Sequence, residues 1–129
     1  MKELLELIGD AIPTDHARQL SVDEILNQVI SEAPRPLAVL DLGCGDGRAL
    51  RQFEKFRGGI YYTGVDIEDS PEVNSRGVQD ARFVTFNGVD LPFEENSFDI
   101  VYCTQVFEHV RHPEFLLGET ARVLRRGGA

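Results

Sequence analysis

The chain has 129 residues, so it holds one domain at most. Its formal net charge of −9 argues against the basic surface that nucleic-acid binding requires and favours a cationic ligand. An apolar content of 42% can supply a core, while no apolar run approaches ~18 residues and no basic n-region precedes an apolar h-region, so neither a membrane span nor a signal peptide is expected. A cytoplasmic protein is expected. The two cysteines, Cys44 and Cys103, lack the close paired spacing of a metal site and read as packing residues, so no metal is expected.

Leu4, Leu5, Leu7 and Ile8 fall at helical spacing, and Gly9-Asp10 with Pro13 ends that segment. Ser21-Val22-Asp23-Glu24 has the form of a capping box, with Ser21 as N-cap. Val22, Ile25, Leu26, Val29 and Ile30 then follow the pattern of an amphipathic helix, which Pro34-Arg35-Pro36 stops. Residues 1–35 are therefore expected to be a helical segment that precedes a second region, 36–129.

That region opens on an apolar run, Pro36 to Leu42, that suits a strand covered on both faces, and it breaks into Gly43-Cys44-Gly45-Asp46-Gly47 before helix-forming residues resume. Glycines there let a ligand approach the main chain closely at the start of a helix. Two other readings stay open at this point: a hairpin turn at Asp46-Gly47, and the dinucleotide fingerprint G-x-G-x-x-G, whose third glycine is replaced by Arg48. Ala49, Phe53 and Phe56 at helical spacing favour a helix after the turn.

Ile60 to Val65 is rich in β-formers and gives a second strand, with Asp66 at its carboxyl end about 20 residues beyond the glycine turn. An acid in that position can accept hydrogen bonds from both hydroxyls of a ribose. Ser70 to Gln79 reads as a short helix or loop, and Ala81 to Phe86 as a third strand. A loop, Asn87 to Asp90, the segment Leu91-Pro92-Phe93 and an acidic turn lead to a fourth strand, Ser97 to Cys103. Thr104 to Arg111 is irregular or briefly helical. Pro113 fits the first position of a last helix that ends at Arg125-Arg126-Gly127-Gly128. The alternation predicts an α/β fold: a Rossmann-like, doubly wound parallel sheet, incomplete at about four strands and preceded by N-terminal helices. The double glycine points toward a further strand, and an unfinished sheet leaves the fourth strand as an open apolar edge through which a homo-oligomer is expected.

Val39 to Gly47 resembles the first motif of class I S-adenosylmethionine-dependent methyltransferases, and Gly64-Val65-Asp66-Ile67 resembles the second. Leu91-Pro92-Phe93 with Ser97-Phe98-Asp99, then Val106 to Val110 and Val123 to Gly128, are similar to later segments of the small-molecule methyltransferase group, with the C-terminal part of the domain missing. The resemblance implies S-adenosyl-L-methionine as cofactor. Gly43 and Gly45 would lie against its methionine part, Asp41 would polarise or water-bridge its amino group, Asp66 would take the ribose hydroxyls and Ile67 would pack on adenine. Asn87 and Gly88 stand where the family often has an acid for the adenine amino group, and Thr104 and Gln105 would sit over the methionine end. His109 is the weak candidate for a general base. The implied function is methyl transfer to an unidentified small-molecule or protein acceptor; the rival readings are a non-catalytic cofactor-binding or interaction module and a nicotinamide-dependent dehydrogenase.

Overall fold

The computed structural model describes residues 17–56, 58–68, 70–74, 76 and 82–129. The expected helix over Leu4–Ile8 lies outside them. The chain divides into two compact units, residues 1–32 and 33–129.

In the first unit, helix α1 spans Ala17–Glu32. It begins upstream of Ser21, so the expected capping box is interior helix and not an N-terminus. Ala17-Arg18-Gln19-Leu20 consists of strong helix formers, and their propensity carries the helix past the cap signal.

The second unit is built on strands β1 (Leu37–Leu42), β2 (Ile60–Ile67), β3 (Phe83–Phe86) and β4 (Ile100–Cys103). Helix α2 (Leu50–Phe53) runs on as a 3-10 turn over Glu54–Phe56, and α3 is the short Pro71–Asn74. A 3-10 turn at Phe107–His109 precedes helix α4 (Pro113–Val123). All strands are parallel, in the order β3-β2-β1-β4. This is the α/β Rossmann-like sheet that the alternation of elements predicts. The fourth strand is shorter than its apolar run, because Phe98 makes only an isolated bridge, to Leu124, before β4 begins.

Register explains where each side chain goes. Val39 pairs with Tyr62 and Ile100, and Asp41 with Gly64 and Tyr102, so these residues share one face of the sheet. There Phe53 packs its ring 5.3 Å from Tyr62 and 5.4 Å from Tyr102. Leu40, Leu42 and Val65 occupy the other face and bury with Leu91, Phe98, Leu116 and Val123. A sheet covered on both faces requires the near-continuous apolar strands that the sequence shows. Burying a leucine or valine in such a layer contributes about 1.5–3 kcal/mol.

Polar latches fix the connections. Arg122 donates to the carbonyls of Leu91 and Phe93 and to Glu119, while Glu119 accepts from the Leu91 amide at 2.8 Å. The Leu91-Pro92-Phe93 segment is thus clamped to α4. Asp99 accepts from Arg35, Arg125 and the Ala38 amide, which ties the entry of β1 to the end of α4. Led by the bond from Arg35, these partners hold its carboxyl well below the usual carboxylate range.

The outer edge of β4 is not open along its length, contrary to expectation. The Ala129 amide donates to the Asp99 carbonyl at 3.0 Å, and the Val101 amide donates to the Ala129 carbonyl at 2.8 Å. The backbone therefore turns back at the double glycine, and Ala129 pairs alongside Asp99 to Val101. Glycine allows that reversal, with Gly127 at φ 79°.

Candidate functional site

At β1 the sheet order reverses: the next strand in sequence, β2, lies on one side and β4 on the other. Loops leaving the carboxyl ends of neighbouring strands on either side of such a point diverge and leave a crevice, the usual place for a ligand in open α/β sheets. A cavity of about 1030 Å³ opens there. Leu42, Gly43 and Gly45 line it from β1, Asp66 and Ile67 from β2, Asn87 and Gly88 from β3, and Gln105 and His109 from the segment after β4. Seven of the nine residues expected to bind cofactor thus meet in one space, together with His109. Asp41 and Thr104 are not among the lining residues.

The glycine turn is held by hydrogen bonds from several directions. The Gly43 and Cys44 amides both donate to the Val65 carbonyl, at 2.8 and 3.1 Å, which fastens the turn to the end of β2. The Gly45 amide donates to Asp66 Oδ2 at 2.6 Å, and the Ile67 amide to Asp66 Oδ1 at 2.8 Å. Each carboxylate oxygen keeps lone-pair capacity, so Asp66 can still accept from two ligand hydroxyls. Gly45 stands at φ 52°, in the left-handed region that side chains rarely adopt. At Gly47 the constraint is space as well, because a Cβ there would lie 2.7 Å from the Phe83 ring.

Asp41 is placed differently. The alternation of β1 sends its carboxylate beneath the turn, where it is 2% exposed and accepts from the Tyr62 hydroxyl at 2.6 Å. Burial, opposed by that hydrogen bond and assisted by the nearby Asp66 charge, pushes its pKa up to about 6. The neighbouring Cys44 thiol is pushed up to about 12, first by burial and then by Asp41, and Cys103 up to about 11. Both thiols are free, and burial disfavours the thiolate form of each.

In the loop after β3, Asn87 Oδ1 accepts from the Val89 and Asp90 amides, both at 2.8 Å, and its amide group donates to Asp90 at 3.2 Å. The side chain closes the loop on itself, and Gly88 at φ 81° completes the bend. Gln105 is a non-glycine residue at φ 56°, a conformation that costs about 1–3 kcal/mol and is held at the mouth of the cavity.

The cavity lining also includes residues to which sequence reasoning gave no site role: Ser70 at the start of α3, Glu72 within it, and Val106, Val110 to His112, Phe115 and Leu116. Ser70 caps α3, accepting from the Val73 amide at 3.3 Å and donating to Glu72 at 2.9 Å. A Ser-Pro-Glu start to a helix is a legible signal, with Pro71 at the first helical position. Among the described residues no group of three or more His, Cys, Asp or Glu side chains could hold a metal ion, and no helix is long and apolar enough to cross a membrane.

Comparison with known proteins agrees with this geometry. The chain is 34% identical over 113 residues to an uncharacterized methyltransferase of Mycolicibacterium gilvum, matching 83% of this chain and 42% of that protein. It is 34% identical over 99 residues to a sterol 24-C-methyltransferase of Gibberella zeae, matching 71% of this chain and 26% of that protein. Among solved structures, the complex of a Haloferax volcanii methyltransferase activator, Trm112, with its partner matches at 30% identity and a TM-score of 0.58, covering 86% of this chain and 53% of that one. The chain therefore spans less than half the length of the curated relatives it matches. Residues 40–129, well over half of the chain, match the model of the methyltransferase domain family, and the chain belongs to that family.

Proposed function

We propose that the chain binds S-adenosyl-L-methionine in the switch-point cavity and serves methyl transfer to an acceptor that enters between the Phe107–His109 turn and α4. The observation that carries this reading is the convergence of Asp66, Ile67 and the glycine turn on one cavity. The cofactor brings an activated methyl group, so the protein's part is to bind, orient and exclude water.

In this reading Asp66 accepts from the ribose hydroxyls, Ile67, 43% exposed and so free to be covered, packs on adenine, and the turn at Gly43 and Gly45 lies against the methionine part. Asn87 Oδ1 is engaged by its own loop, so the Asn87–Gly88 backbone is the partner we assign to adenine. The buried Asp41 carboxylate acts from beneath the turn by its field and not by contact. Gln105 guards the methionine end beside Thr104. His109 lines the cavity, which supports it as the candidate general base for an acceptor that carries a proton. The overall charge of −9 suits a cationic sulfonium. Cytoplasmic location and self-association through the free end of β4 belong to the same proposal.

The test is calorimetric titration of the chain with S-adenosylmethionine and its demethylated product. Micromolar binding is expected, and Asp66→Ala weakens it by about 10-fold or more, since a hydrogen bond to a charged group contributes ~1.5–3 kcal/mol. No binding by the folded wild-type chain overturns the reading.

A further inference from the structure

Arg76 belongs to none of the motifs and does not line the cavity, yet it makes an unusual set of contacts with the back of the glycine turn. Its Nε donates to the Gly45 carbonyl at 3.1 Å, and Nη2 donates to the same oxygen. Nη2 also lies 3.4 Å from Cys44 Sγ, and the guanidinium carbon sits 4.2 Å above the centre of the Phe83 ring. Phe83 in turn packs against Gly47. Residues 44, 45 and 47 are thereby gripped by one arginine and the aromatic ring it stacks on.

The two peptide planes that flank Gly45 are fixed from opposite sides. Asp66 takes the amide before it at 2.6 Å, and Arg76 takes the carbonyl after it. Glycine has the widest conformational choice of any residue, so an unclamped Gly45 would lose the most freedom when a ligand arrives. Clamping it beforehand moves that cost from binding to folding. A forked, planar guanidinium can give two bonds to one oxygen while lying on a ring, and an ammonium cannot.

We propose that Arg76 is a positioning residue for cofactor binding: it preorganises the glycine turn by holding the Gly45 carbonyl against the pull of Asp66 on the preceding amide. This rests on the reading of the cavity as the S-adenosylmethionine site. The contact is invisible in the sequence because its partners lie 31 and 32 residues away.

The experiment is calorimetric titration of S-adenosylhomocysteine into the wild-type chain, Arg76→Ala, Arg76→Met and Arg76→Lys, with melting curves on each. Arg76→Ala and Arg76→Met are expected to weaken binding about 10-fold, and Arg76→Lys by less. Arg76→Met keeps the apolar stem over Phe83 and carries the comparison if Arg76→Ala does not fold. Guanidinium chloride, far below denaturing concentration, restores affinity to Arg76→Ala and not to Arg76→Met, whose side chain fills the slot; a purely structural role would give no such rescue. Wild-type binding with all three variants within twofold overturns the proposal alone, as does a loss that guanidinium never restores. Failure of the wild type to bind overturns the cofactor reading itself and this proposal with it.

Discussion

Asp41 and Asp66 end neighbouring parallel strands on the same face of the sheet, and the backbone gives them opposite surroundings. Asp66 is past the last paired residue of β1 and reaches the cavity, while Asp41 is one position short of the turn and is trapped under it. Their difference has a pH signature. Asp41 titrates at about 6 in the fold and near 3.9 in an unfolded chain, so between those values the folded state holds a proton that the unfolded state has lost. Stability from this group is highest below about pH 4 and falls by roughly 2–3 kcal/mol as pH rises through 6. Asp41→Asn has no such dependence. The stability of Asp41→Asn relative to wild type, measured by denaturant unfolding, is expected to rise from pH 4 to pH 7 and then level off; a constant difference would show that Asp41 is ionised throughout. The presence of an acid at each position was legible from the strand patterns, whereas the burial of Asp41 depends on Tyr62 reaching it from 21 residues away. Asn87 shows the same limit: its residue type suited a ligand, but its own loop uses its oxygen first.

At the scale of elements, Leu91-Pro92-Phe93 is a docking segment. The Glu119–Arg122 pair on α4 engages the Leu91 amide and the Leu91 and Phe93 carbonyls, and the bond from Arg122 lowers the Glu119 pKa. Removing the guanidinium leaves two loop carbonyls and a carboxylate without these bonds, so Arg122→Ala is expected to destabilise the chain by about 1–3 kcal/mol. Thermal or urea unfolding checks this, and a loss under ~0.5 kcal/mol would mean that water satisfies those groups equally well. The order and type of the main elements were readable from period and composition, because a sheet covered on both faces needs apolar runs and the helices other than α3 were announced by helical spacing or by Pro, whereas Ser70 to Gln79 read only as a short helix or loop. Boundaries were less so. The start of α1 was misplaced at Ser21, where a real capping pattern lies inside a stronger run of helix formers. The latches were unreadable, since nothing local in Glu119 or Arg122 points to a loop about 30 residues away.

For the whole molecule, the sheet is the arrangement that places four loops around one crevice. Its outer edge is covered in part: Ala129 pairs with Asp99 and Val101, and β4 continues to Cys103. The association of two copies proposed for this edge would use the part of β4 beyond Val101. A rise from monomer to dimer mass across tens to hundreds of micromolar is expected by light scattering, and a constant monomer mass contradicts association through this edge.

The central claim is that the switch-point cavity holds the adenosyl group with its ribose on Asp66. A crystal structure of the chain grown with S-adenosylhomocysteine tests it most directly. Both ribose hydroxyl oxygens are expected about 2.5–3.0 Å from the Asp66 carboxylate, the adenine over Ile67 and the amino-acid part along Gly43 and Gly45. Ligand density elsewhere, or a ribose that leaves Asp66 untouched, would contradict it.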